Sequence, residues 1–189
     1  MRKELLLSCA AACALLSGCG SSVSSDEQAR RAYLGLDLSI DKAIGLGFAG
    51  FNAANSANIP AQMTTGIAAG TLGVTGQVDQ GASANKGMRL ITAFTGYSDD
   101  GKLFYQSMAG QTQALDMQLK NIPTGTLTGS ATWNLDMTGE LAGPVKLTLA
   151  FTGTLQAGNG QNVERKPGTT HITGMAASGK GIYNIDITR

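Results

Sequence analysis

Histidine and cysteine are almost missing from this chain. There is one histidine, His171, and the three cysteines, Cys9, Cys13 and Cys19, all fall within the first nineteen residues. A zinc site gathers several His or Cys ligands, and the sequence cannot supply them. GxSxG is absent as well, and a lone histidine gives no Ser-His-Asp grouping beyond mere composition. No thiol follows Cys19, so no disulfide can form within the rest of the chain. Charge is also scarce, at 14% Asp, Glu, Lys and Arg where about 25% is usual. A formal net charge of +1 gives no electrostatic reason to seek nucleic acid, which basic domains bind by neutralising phosphates.

What is present starts at the N-terminus. Arg2 and Lys3 precede an apolar run from Leu5 to Leu16 that only small residues interrupt, the pattern of an export signal. At about a dozen residues the run is shorter than the roughly 20 needed to span a bilayer as a helix. It ends on Leu16-Ser17-Gly18-Cys19. Those four residues resemble the lipobox of bacterial lipoproteins, with Leu three positions before the cysteine and small residues between. The resemblance covers this short segment alone. It implies cleavage before Cys19, a diacylglycerol thioether on its sulfur, and acylation of its new amine. Cys9 leaves almost no apolar run before it, and Cys13 follows Ala10-Ala11-Ala12, which lacks the Leu. Two or three acyl chains anchor stably, whereas one chain binds marginally and reversibly. By analogy with enterobacterial sorting, Gly20 is no retention signal and favours the outer membrane.

The expected organisation is therefore a signal over 1–18, a flexible lipidated tether over 19–25, and one domain over 26–189. Without Arg2, Lys3 and Glu4 the chain keeps 12 basic and 12 acidic residues. Glycine is abundant, 26 of 189 against about 7% on average, and low charge with many Thr, Gly and Ala fits an exported β-rich protein. Ser24 or Ser25 can cap a long helix over 26–55, with Asp26 and Glu27 in its first turn. Ala29, Tyr33, Leu36, Ile40, Ala43, Ile44, Gly47, Phe51 and Ala54 share one stripe. Leu34 and Leu38 fall off it, which predicts packing on a second side and leaves Arg31 and Lys42 for water. The small, Pro-interrupted stretch 52–70 reads as loop with a short helix near 60–69.

From Thr71 the apolar period becomes 2. Strands are expected over 71–78, 88–97, 103–106 and 115–120, with Asp99-Asp100-Gly101 as a hairpin turn, and a last pair over 169–176 and 181–188. Between Thr126 and Gln156 every large apolar residue is odd-numbered: Leu127, Trp133, Leu135, Met137, Leu141, Val145, Leu147, Leu149, Phe151 and Leu155. A turn at Ala142-Gly143-Pro144 would set Leu141 opposite Val145, Glu140 opposite Lys146 and Trp133 opposite Gly153. Thr-Gly recurs at residues 75, 95, 128, 138, 152 and 173, each Gly on its strand's apolar parity, as glycine kinks that curve a sheet. The fold expected is α+β: a long N-terminal helix packed on a strongly curved antiparallel sheet of about eight strands, a half-barrel or nearly closed barrel.

Motifs that imitate sites read as structure. Gly45-Leu46-Gly47-Phe48-Ala49-Gly50 has the GxGxxG spacing, but a helix precedes it and no acid stands about 20 residues on. Gly174 to Lys180 imitates a phosphate loop, yet Gly181 occupies the Ser/Thr position. His171 should face solvent, Asp99 and Asp100 should be a solvated turn, and Asp37 and Asp41 should form a polar flank with Lys42 and Arg30. No cofactor, no metal and no catalysis is expected. The functional expectation is an envelope lipoprotein holding an apolar ligand, such as an acyl chain, between helix and sheet near Trp133, Leu135 and Phe151. That arrangement looks like the general plan of periplasmic lipid carriers. The alternative is a structural or protein-interaction lipoprotein with a filled core, and a lined cavity of roughly 300 Å³ or more separates the two.

Overall fold

The computed structural model describes residues 20–158 and 163–189, so Cys19 and the signal lie outside the described residues. Two helices come first, α1 (Asp26–Leu34) and α2 (Asp37–Ala53). Ser25 caps α1 by accepting a hydrogen bond from the Gln28 amide at 3.2 Å. The single helix expected over 26–55 is broken at Gly35 and Leu36. Tyr105, 73 positions away in sequence, donates its hydroxyl to the Ala32 carbonyl at 2.7 Å. The Leu36 amide turns to the Tyr33 carbonyl instead, at 2.8 Å, so one side chain inserted into the ladder bends the helix. Only glycine fits at 35, because an added Cβ would stand 2.2 Å from the Tyr105 hydroxyl.

The predicted stripe is the buried face: Ala29, Tyr33, Leu36, Ile40, Ala43, Ile44 and Gly47 are buried, Phe51 and Ala54 partly so. Packing on a second side fails at Leu38, which is 44% exposed. Arg31 and Lys42 are not left to water either. Arg31 reaches Asp100 at 2.7 Å and Glu140 at 2.9 Å, and Lys42 reaches Asp99 at 2.5 Å and the Thr65 carbonyl at 3.0 Å.

The remainder is an antiparallel sheet of ten strands: β1 (Asn58–Thr65), β2 (Ala69–Val78), β3 (Lys86–Ser98), β4 (Leu103–Ser107), β5 (Ala114–Lys120), β6 (Thr126–Gly139), β7 (Gly143–Ala157), β8 (Val163–Arg165), β9 (His171–Ser178) and β10 (Gly181–Thr188). The pairing path runs β1-β2-β3-β4-β6-β7-β9-β10, with β5 also between β3 and β6, and β8 on β7. Thus β4 and β5 are two halves of one interrupted strand. Gln113, buried in the interruption, accepts the Asn134 amide at 2.5 Å and satisfies a donor that the missing rungs would strand. α1 packs on β10, while α2 packs on β1, β2, β3 and β8.

β1 replaces the loop and short helix expected over 52–70. Pro60 is tolerated because β1 is an edge strand with a register shift between Ile59 and Gln62. Gly50 of α2 lies against it, where an added Cβ would come 2.8 Å from Ile59. Both edges have some of their outward backbone groups occupied by side chains. On β10 the Asn184 amide donates to Asp26 at 2.8 Å. On β1, Lys42 takes the Thr65 carbonyl, and Gln62 Nε2 takes those of Pro60 and Ala61 at 3.1 and 3.2 Å.

In the β6–β7 hairpin the odd-numbered apolar set is buried in full, as the alternation predicts. Its register differs: Trp133 opposes Leu147, Gly153 opposes Leu127, and Lys146 opposes Asn134. The chain leaves the hairpin early, at Gly139 (φ 107) and Gly143 (φ 99). Residues 140–142 bond elsewhere, the Glu140 amide to the Lys102 carbonyl and the Ala142 amide to Ser21. The glycine left open toward the core is Gly129, and the ring over it is Phe151, 2.5 Å from where a Cβ would sit. Gly96 is exposed, with φ 54. It lies where β3 carries an extra residue against β2, between Thr95 opposite Thr71 and Ser98 opposite Ala69, so parity flips and Tyr97 turns inward.

The expected flexible tether is also docked. Ser21 bridges Leu141, Val23 is fully buried, and Ser178 Oγ donates to the Val23 carbonyl at 2.6 Å.

Candidate functional site

Asp37 and Asp41 stand one turn apart on α2, so both carboxylates project on one side of the helix. Between them lies Arg165, the last residue of β8, whose side chain is 6% exposed. Its Nε and Nη2 donate to the two oxygens of Asp41 at 2.9 and 2.7 Å. Its Nη1 donates to Asp37 Oδ1 at 2.9 Å, and Nη2 also reaches the Asp37 carbonyl at 2.8 Å. Tyr33 donates its hydroxyl to Asp37 Oδ1 at 2.5 Å, and Arg189 Nε stands 3.5 Å from Oδ2. The flank expected to pair with Lys42 and Arg30 is instead a clamp closed by Arg165.

Burial alone pushes the Asp37 carboxyl up, but the hydrogen bonds and charge of Arg165, with the Tyr33 hydroxyl, hold it below the usual carboxylate range. Burial weakens the Arg165 charge, and Asp41 and Asp37 together outweigh it and raise that group further. The Tyr33 phenol is driven far above its ordinary value, first by burial and then by the Asp37 charge. All three groups therefore stay in one protonation state through neutral pH. Every guanidinium nitrogen is engaged, and four of the five N–H donors of Arg165 are committed to Asp37 and Asp41. The arrangement holds β8 against α2 and offers no proton donor or acceptor tuned near neutrality.

Above the clamp is an open cleft of about 450 Å³, bordered by Leu38, Lys166, Pro167, Thr188 and Arg189. Buried Thr170 Oγ1 on its wall has no hydrogen-bond partner. No family model, curated protein or solved structure matches the chain significantly.

Trp133, Leu135 and Phe151, the expected cavity residues, are 0%, 0% and 2% exposed. They belong to one continuous core with Leu36, Ile40 and Ile44 of the helical layer. Phe94 meets Trp133 and Tyr97 edge to face, both with ring centroids 5.5 Å apart. The larger clefts border other residues. The most apolar of them, about 370 Å³, lies against Met63, Gly73, Ile91 and Ala93 at the β1 edge.

The remaining sequence features fall where packing puts them. An added Cβ at Gly47 would stand 3.0 Å from Met88 Sδ, which is close helix–sheet packing. Gly174 to Ser178 lies in β9, and the turn is Gly179-Lys180. His171 is exposed, with Nε2 2.9 Å from Asp186. Asp99 and Asp100 are not free in their turn. Lys42 and the Ile67 amide bond Asp99 at 2.5 and 2.9 Å, and the Lys102 and Leu103 amides donate to Asp100 at 2.8 and 3.0 Å. Among the described residues no cluster of three or more His, Cys, Asp or Glu could hold a metal. Arg165 escaped the sequence reading because β8 is three residues long and carries no alternation to count. The signal that exists is Asp37 itself, four residues after Tyr33 and three before Ile40 on the buried stripe, where an acid requires a cation.

Proposed function

We propose that this chain is a lipid-anchored protein of the bacterial envelope, attached through Cys19 to the outer membrane. Its folded domain acts as a structural or protein-binding module, not as an enzyme or a carrier of apolar cargo. Support for the anchor is the lipobox-like Leu16-Ser17-Gly18-Cys19 after a short apolar run. The observation that carries the second half is the solid interior at Trp133, Leu135 and Phe151, where a carrier would keep space. We further propose that the sheet curves as a half-barrel with the bent helix along its concave side, since α1 packs on one edge strand and α2 on the other. The exposed apolar cleft by Met63 and Ile91 favours one alternative, a lipid held on the outside of the sheet.

Two measurements test this reading. Radiolabelled palmitate should enter the full-length product and fail to enter a Cys19→Ala variant; equal labelling refutes the anchor. Native mass spectrometry of a soluble Cys19→Ala form lacking residues 1–18 should give the bare chain mass. A co-purifying lipid would overturn the filled-core assignment in favour of a carrier.

A further inference from the structure

In the antiparallel order of the sheet, the turns at 66–68, 99–102, 140–142 and 179–180 all fall at one end of the strands. Direct contacts tie that rim together. The Ala68 amide donates to Ser98, and Glu140 to Lys102. Residues 20–23 then cross from the 140–142 turn to Ser178 at the end of β9. Gly20 fits against the same rim, where an added Cβ would stand 2.3 Å from the Gly139 carbonyl and 2.9 Å from Leu141. Gly20, the first described residue, is therefore held at this rim, and the chain enters the domain there. A free seven-residue tether would have allowed roughly 15 Å of play.

The rim carries side chains suited to a headgroup layer. The two outermost hairpins each put an isoleucine into solvent there: Ile67 at the β1–β2 turn is 70% exposed, and Ile182 beside the β9–β10 turn is 67% exposed. Lys102 and Lys180 stand in the turns between and beside them. The rim acids Asp99, Asp100 and Glu140 are already paired with Lys42, Arg31 and Lys102. Apolar side chains beside Lys180, with the rim carboxylates neutralised by Lys42, Arg31 and Lys102, match the boundary between headgroups and acyl chains.

We infer that this rim is the membrane-contacting face of the domain, with Ile67 and Ile182 dipping into the headgroup layer of a phospholipid surface. The opposite rim, with the turns at 79–85 and 121–125, then points away from the bilayer and is the end available to partners. This orientation rests on acylation of Cys19. It goes beyond it by fixing how the domain sits.

The chain offers a clean test, because the signal takes Cys9 and Cys13 with it and acylation consumes Cys19, leaving an introduced cysteine as the one reactive thiol. Ile67→Cys and Lys180→Cys on the proposed face, and Ala82→Cys on the far rim, are each made in the full-length chain. The purified lipoproteins are labelled with nitrobenzoxadiazole and placed in phosphatidylcholine vesicles bearing a nitroxide on the headgroup. The rims lie about a strand length apart, roughly 40 Å for the thirteen residues of β3. Quenching of the Ile67 and Lys180 probes should exceed that of the Ala82 probe several-fold. Intact mass of each product reports acylation separately. An acylated protein whose three probes quench equally, or whose Ala82 probe quenches most, overturns the orientation while leaving the anchor intact. A product without acyl mass overturns both.

Discussion

Replacing Arg165 by Met tests the clamp at its centre. The substitution removes every side-chain donor that Arg165 gives to Asp37 and Asp41, leaves the residue 165 amide on Asp41 at 3.2 Å, and keeps a long apolar side chain in the space. Breaking a buried pair by deleting one partner costs about 3–5 kcal/mol, because the survivor is left charged out of water. Two features place the value near the low end. Asp41 is 27% exposed and can hydrate, and Asp37 keeps the Tyr33 hydroxyl with Arg189 3.5 Å away. The expected loss is about 3 kcal/mol at pH 7, which at 2–4 °C per kcal/mol for a chain this size lowers Tm by about 6–12 °C. The loss must also depend on pH. Asp37 is held low in the wild type, so its contribution is full above the unfolded carboxylate value of about 3.9 and fades as pH falls through its lower folded value. In the Met variant the same carboxyl is buried without its cation and shifts upward, so the gap between the two proteins should narrow from pH 7 to pH 4. Urea unfolding of the soluble Cys19→Ala form, followed by circular dichroism at several pH values, measures it. Adding Asp37→Asn to the Met variant should restore about 1–2 kcal/mol by removing the stranded charge. A loss below about 1 kcal/mol, or one unchanged between pH 7 and pH 4, would refute the argument that Asp37 depends on Arg165.

Three further outcomes follow from the packing. Gly35→Ala should destabilise the domain by about 1–3 kcal/mol, and Tyr105→Phe, which removes the colliding oxygen, should make the double variant less unstable than the two losses summed; strict additivity in thermal melts would contradict the contact. Leu36→Ala should cost about 2–5 kcal/mol as a buried truncation, while Leu38→Ala should stay within about 0.5 kcal/mol; comparable midpoints in urea would mean the helical face is misassigned. Trp133, the sole tryptophan and fully buried, should emit in the blue and resist acrylamide until the protein unfolds. Emission that shifts or quenches when a fatty acid is added would contradict a filled core.

How much of this was legible in the sequence depends on how far each determinant lies along the chain. The helical stripe from Ala29 to Gly47 and the odd-numbered face of 127–155 are local periodicities, and both are buried as read. The bend at Gly35 is not local, since its cause is a hydroxyl on β4. Alternation fixes which face of β6 and β7 is buried, but any even slip preserves that face. The true register therefore depended on Lys102 and Ser21 drawing residues 140–142 out of the hairpin. β1 was hidden by Pro60 and by a register shift that spoils the count. The clamp was half visible, as two aspartates one turn apart, while its cation lies on a three-residue strand more than a hundred positions away.

The occupied edges of the sheet bear on colloidal behaviour. An unpaired outer strand is a template onto which another chain can add, and repetition of that event produces fibres. Here the Asp26 carboxylate sits on a β10 amide, Pro60 removes a donor from β1, and Lys42 and Gln62 cover its carbonyls. A neighbouring copy that pairs through these groups would have to displace the side chains that hold them. Strand addition from a second molecule is therefore opposed at those positions on each border.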